Sequence, residues 1–192
     1  MNDGGQADRD NRNRRSGVHI PEYIDSAPRA RFASDLLRRE SRRRSIGRVM
    51  TREEILSLLE RKSAAWAARD APALARLYAP HAIVTSPTGG VLEGPGEIER
   101  VYRRWLLAFP DLRFQADDVL IDGERVVQVA HLSGTHAGEF FGVPATGRKV
   151  NFVCALVLSV GDGLIVSERR ILDFTGVLVQ VGVLKARPAT GF

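Results

Sequence analysis

The sequence predicts an α+β domain in which helices pack on one face of a curved antiparallel sheet. Three observations carry this. From Thr51 to Phe109 apolar residues recur at helical spacing. From Leu112 onward the period drops to two. Asp122-Gly123 and Gly161-Asp162-Gly163 then punctuate the second half as tight-turn signals.

Taken in order, residues 1–48 are Arg-rich and carry few periodic apolar positions. Through Met50 there are 12 Arg, no Lys and 7 acids, so the net charge of +5 lies in that first quarter. Such a segment buries too little surface to offset its ordering entropy and reads as a largely disordered extension. Only two aromatic residues, Tyr23 and Phe32, interleave its arginines, so nucleic acid is expected as no more than a weak partner of this tail. Met50 immediately precedes the first helix cap and is an alternative natural start. The domain itself is expected over residues 49–187, with 188–192 as a short tail.

Thr51 followed by Glu54 is a capping box. Behind it Ile55, Leu58, Leu59, Lys62, Trp66 and Arg69 form a stripe that is apolar except at Lys62 and Arg69. "APALARLYAP" reads as a second short helix with Pro72 in its first turn. "HAIVTSPTGGVLEG" reads as a short strand, a turn and a return. "GPGEIERVYRRWLLAF" reads as a third helix, with Ile98, Val101, Tyr102, Trp105 and Phe109 on one face, ended by Pro110. Four long strands follow, within "LRFQADDVLID", "ERVVQVAHLSGTH", "KVNFVCALVLSV" and "LIVSERRILDF". Both faces of the central strands are largely apolar, so one face is free to meet a second copy of the chain, and a homodimer through the sheet is expected.

Several function classes are excluded. No apolar run approaches the roughly 20 residues needed to span a bilayer, and the polar N-terminus does not read as a secretory signal. A single cysteine, Cys154, allows no intramolecular disulfide and no cysteine-based metal site, which fits a cytoplasmic protein. The phosphate loop, the dinucleotide glycine fingerprint, the Gly-x-Ser-x-Gly elbow and HExxH are all absent. The four histidines lack metal-ligand spacing, so no metal site is expected.

What remains is acid/base chemistry in an apolar pocket. Asp173 ends the last strand between Leu172 and Phe174. Apolar neighbours raise a carboxyl pKa and make it a better base near neutrality. The same residue type is a favoured cap for the segment that follows, and both readings stand. His136 lies where a strand emerges into the connection "GTHAGEFFGVPATGRKV", a common place for a functional side chain, or else bonds backbone within that hairpin. Glu139 and Arg148 flank the same connection and are placed to pair. Trp66, Tyr78, Trp105, Phe109, Phe140 and Phe152 are the aromatic candidates for core or pocket lining.

"AFPDLRF", "GTHAGEFFGVPATGRKVNF" and "DGLIVSERRILDFTGVLVQVG", in that order, resemble the SnoaL-like polyketide cyclases, or ester cyclases, of the nuclear-transport-factor-2-like (NTF2-like) superfamily. The resemblance covers roughly residues 50 to 185. It implies a cone-shaped, cystatin-like α+β barrel around a deep apolar cavity and a hydrophobic, polyketide-like carbonyl substrate. It further implies intramolecular aldol closure without metal or cofactor, with an aspartate near the end of the last strand as general acid/base. Asp173 stands at that position, His136 is its candidate partner, and Gln180 joins the candidate pocket residues. "GVLVQVG" departs from the family's Gly-Leu-Leu-x-Gln-Leu-Gly. A non-catalytic dimeric module binding an apolar ligand or a protein is the rival reading; it expects Asp173 to be a solvent-exposed cap.

Overall fold

The computed structural model describes residues 49–185. The Arg-rich extension of residues 1–48 and the tail of residues 188–192 lie outside the described residues.

Helix α1 (Arg52–Ala67) starts where the capping box places it: Glu54 N donates to Thr51 Oγ1 at 3.3 Å and Thr51 N donates to Glu54 Oε2 at 2.9 Å. Helix α2 (Ala71–Ala75) is capped by Asp70, whose Oδ1 accepts from Ala73 N at 2.8 Å. It is shorter than expected. The β-favouring run from Tyr78 instead enters strand β1 (Tyr78–Ser86), which returns through β2 (Gly90–Glu93). Helix α3 (Gly94–Ala108) follows, then β3 (Arg113–Asp122), β4 (Arg125–Thr135), β5 (Lys149–Gly161), β6 (Leu164–Leu172) and a short α4 (Phe174–Gln180).

The six strands form one mixed sheet in the order β2-β1-β6-β5-β4-β3. Four pairs are antiparallel, and β1 and β6 are parallel. The parallel contact arises because α3 carries the chain away after β2 and the β3–β6 meander brings it back against β1. Irregular register between Ala116 and Val119 and between Ser159 and Val160 bends the strands, and the curved sheet stays open. Helix α1 packs on β3, and α3 packs on β1 and β2. Alternation sends Val126, Gln128, Ala130 and Leu132 of β4, and Phe152, Cys154, Leu156 and Leu158 of β5, to the covered face. No described helix is long and apolar enough to cross a membrane.

Candidate functional site

The helical stripe of α1 and the alternation of β6 bring distant charges together. Spacing on α1 turns Lys62 to the buried side with Leu58, Leu59 and Trp66. Alternation on β6 sends Glu168, Arg170 and Leu172 inward and leaves Arg169 and Ile171 exposed. The Glu168 carboxylate thus sits in the core with several partners. Tyr78 Oη donates to its Oε2 at 2.6 Å, Lys62 Nζ lies 3.6 Å from the same oxygen, and Arg170 Nε donates to Oε1. Lys62 Nζ also approaches Gln128 Oε1 at 3.4 Å. Because Tyr78 gives its proton to Glu168, Tyr102, 2.7 Å away, donates to Tyr78.

Electrostatics follow from this packing. Burial alone would raise the Glu168 carboxyl; Arg170, Lys62 and the hydrogen bonds from Tyr78 and Arg170 overcome it and hold it at about 2. Burial lowers Lys62, and the pull of Glu168 does not fully restore it. Burial and the Glu168 charge raise both tyrosine hydroxyls, which stay protonated at neutral pH. Burial also lifts the Cys154 thiol, to about 11.

Beside this cluster lies a narrow cavity, with room for about 40 Å³ of water-sized groups. Its walls are Trp66, Trp105, Phe114, Leu132, Phe152, Leu156 and Leu172, and its polar lining is Ser86, Thr88, Tyr102, Cys154, Glu168 and Arg170. Trp66 stacks on Phe114 at 5.3 Å and meets Tyr102 edge-on at 5.2 Å, while the Arg170 guanidinium carbon stands 4.6 Å from the Tyr102 ring centre. Among the described residues, Trp66 Nε1 and Arg170 Nη2 are buried without a hydrogen-bond acceptor.

Of the aromatic candidates, Trp66, Trp105 and Phe152 line the cavity. Tyr78 lies in the polar cluster. Phe109 and Phe140 form the layer behind Trp105, at 5.5 and 4.7 Å. Gln180 is elsewhere: its side chain accepts from Asn151 N at 2.6 Å and donates to Asn151 O at 3.1 Å, pinning α4 to β5. Asp173 is exposed and caps α4, its Oδ1 accepting from Gly176 N at 2.8 Å. Of its two sequence readings, this geometry is the cap, because a carboxylate at the first turn satisfies an otherwise free N–H.

His136 is fully buried, its Nδ1 2.9 Å from Thr146 Oγ1 and its ring between Phe109 and Phe140. Burial lowers its pKa. It bonds within the hairpin connection, and it is not part of the cavity lining. Glu139 accepts from Gly142 N at 3.0 Å and does not pair with Arg148 among the described residues. The connection docks on the end of α3, where Ala137 N and Gly138 N both donate to Ala108 O. The sequence reading missed Lys62, Tyr102, Glu168 and Arg170. The available signal was charge at inward register: Glu168 and Arg170 alternate in phase with Leu172.

No curated protein matches the chain. AclR from Streptomyces galilaeus, described as a candidate hydroxylase, is 26% identical with a TM-score of 0.65, over 72% of this chain and 91% of its own. IdmH from Streptomyces antibioticus, a candidate polyketide cyclase, is 27% identical with a TM-score of 0.57, over 66% of this chain and 96% of its own. An NTF2-like protein from Burkholderia thailandensis is 25% identical with a TM-score of 0.55, over 67% of this chain and 96% of its own. The family model described as SnoaL-like polyketide cyclase matches residues 57–181, which takes in every cavity-lining residue. That match spans more than half of the sequence, on an NTF2-like fold, and the chain belongs to the SnoaL-like polyketide cyclase family.

Proposed function

We propose that this chain is a cyclase-type enzyme that binds a hydrophobic, polyketide-like carbonyl compound in the Trp66–Phe152 cavity. It turns the compound over by general acid/base chemistry, through aldol-type ring closure or a related reaction. The observation that carries this reading is the cavity, an apolar sleeve that ends on a buried ionic cluster with free N–H donors.

Ring closure needs a base for a proton next to a carbonyl, donors for the enolate oxygen and exclusion of water. The sleeve excludes water, and Trp66 and Arg170 supply donors. Glu168, held near 2, is a poor base at neutral pH and serves to position Arg170 and the two tyrosines. Asp173 is then the proposed base, on the family pattern and because the adjacent Leu172 lines the cavity. Its carboxylate must leave Gly176 N to reach a ligand. A ligand larger than the present cavity requires the stacked Trp66 and Phe114 rings to part. His136 is assigned the anchoring of the hairpin connection, and the exposed face of the sheet is assigned to a homodimer.

The cap bond and exposure of Asp173 favour a second reading, a binding module without turnover. Aromatic β-keto esters that carry an activated methylene and an ortho aldehyde as its internal electrophile, followed by chromatography and mass spectrometry, separate the two. Ring-closed product from the parent protein and none from Asp173→Asn supports the enzyme, because asparagine preserves the cap. Binding without product supports the module. Absence of binding removes both readings.

A further inference from the structure

Three buried side-chain atoms of the described residues lack a hydrogen-bond partner: Trp66 Nε1, Arg170 Nη2 and His136 Nε2. Two of the three belong to residues that line one cavity. Buried N–H groups without acceptors are uncommon in folded proteins and are costly. Trp66 is 7% exposed and the Arg170 side chain 9%, so bulk water does not serve either one. Both residues also touch the same ring, that of Tyr102, the indole edge-on at 5.2 Å and the guanidinium carbon at 4.6 Å, and both line the cavity.

The charge at that end is unbalanced in the same direction. Glu168 is the carboxylate of the cluster, and it faces both Lys62 and Arg170. Arg170 spends Nε on Glu168 and keeps Nη2 unused. A guanidinium edge with one N–H committed and another free, in a cavity that a residue with a free indole N–H also lines, is a complementary surface for an oxygen anion. The rest of the lining is aromatic and aliphatic and, once the stacked Trp66 and Phe114 rings part, complements a flat apolar body.

We infer that the cavity selects an anion: a planar hydrophobic carbonyl compound whose carboxylate or enolate oxygen accepts from Arg170 Nη2 and Trp66 Nε1. This rests on the cavity being the ligand site, and it narrows the substrate class from neutral esters to acids and stabilised enolates. Ser86 and Thr88, whose hydroxyls lie 3.1 Å apart in the lining, supply further hydroxyl groups for a second oxygen of the same ligand.

The test is isothermal titration of the full chain with 2-naphthoate and with its neutral analogue 2-naphthamide, repeated on Trp66→Phe and Arg170→Met. The expected result is about tenfold tighter binding of the acid than of the amide by the parent protein. Trp66→Phe, which keeps the stack on Phe114, is expected to weaken the acid about fivefold. Arg170→Met is expected to abolish the preference for the acid. Should Arg170→Met not fold, Trp66→Phe decides. Equal binding of acid and amide by the parent, or undiminished binding of the acid by Trp66→Phe, overturns the inference and leaves the cavity as a ligand site. If neither probe binds, the reading of the cavity as a ligand site falls with it.

Discussion

Tyr78 donates its hydroxyl to Glu168 Oε2 at 2.6 Å across the parallel β1–β6 pair, with both residues buried. That bond ties the one parallel seam of the sheet to the charge cluster under the cavity. Glu168→Gln leaves Lys62 and Arg170 buried without their counter-charge and is expected to destabilise the fold by about 3–5 kcal/mol. Lys62→Met is expected to cost less, because Glu168 keeps Arg170 and Tyr78. Urea unfolding of the two variants checks the order; a larger loss for Lys62→Met contradicts it.

The same cluster sets an acid limit. Glu168 is held at about 2 against an ordinary 4.5, so its contribution is fully present above about pH 4.5 and is lost as pH falls toward 2. The groups that face it are Lys62 from α1, Tyr78 from β1, Tyr102 from α3, Cys154 from β5 and Arg170 on β6. The linked stability is on the order of 3 kcal/mol. Unfolding free energy measured from pH 6 to pH 2.5 is expected to fall in that window in the parent protein and to fall much less in Glu168→Gln. Parallel curves would mean that other carboxylates govern acid unfolding.

What was legible in the sequence was local. Thr51 and Glu54 are three residues apart and satisfy each other, so α1 begins where the pattern says. Asp173 reads as a cap for the same reason, three residues before the N–H it holds. The alternation of β4 and β5 separated their two faces, but both are largely apolar, and the side that the helices cover depends on packing distant in the chain. What was not legible depends on pairings far apart in the chain. Lys62 stood out as an exception on an apolar stripe, but its partner Glu168 is supplied by the last strand, and only the parallel β1–β6 seam brings Tyr78 to the same place. Gln180 looked like a pocket residue because of the family pattern around it. Its amide instead completes the backbone bonds of Asn151, a partner that a pattern confined to α4 does not contain.

Asp173 separates fold from function in one position. Asparagine caps about as well as aspartate, whereas alanine cannot accept from Gly176 N. Asp173→Ala is expected to cost about 1 kcal/mol and Asp173→Asn only a few tenths. Thermal unfolding of both checks this. A loss in Asp173→Asn as large as in alanine would show that the charge, not the cap bond, stabilises α4.

Of the glycines in the hairpin connection after β4, Gly138 alone makes a close approach. A Cβ on Gly138 would lie 2.3 Å from Leu107 O and 3.0 Å from its carbonyl carbon, both backbone atoms that cannot move aside cheaply. Gly138→Ala is therefore expected to push the connection off the end of α3, breaking the bonds from Ala137 N and Gly138 N to Ala108 O. The cost is about 2 kcal/mol or more, with faster amide exchange at both positions. Alanine at Gly142, where no atom lies within 4 Å, meets only its positive φ of 76° and is expected to cost about half as much. Equal effects would mean that backbone conformation, not the contact with Leu107, limits this connection.

The middle of the sheet face turned away from the helices is apolar. Leu120 is 69% exposed, Val153 46% and Ile171 51%, and Cα register puts the three on one side, across β3, β5 and β6. Val127, Val129 and Val157 lie between them and are partly exposed. A patch of this kind, continuous over four strands, is a candidate association surface. Its middle, on β4 and β5, carries no Asp, Glu, Lys or Arg; His131 there faces Asp117 at 3.3 Å, and Arg169 of β6 stands opposite Val157. The parent protein is expected to sediment as a dimer at micromolar concentration. The double variant Val153→Arg, Ile171→Arg is expected to sediment as a folded monomer with an unchanged far-ultraviolet spectrum, because both positions face outward and the core does not depend on them. A parent protein that stays monomeric at high micromolar concentration would show that this face meets solvent or some other partner.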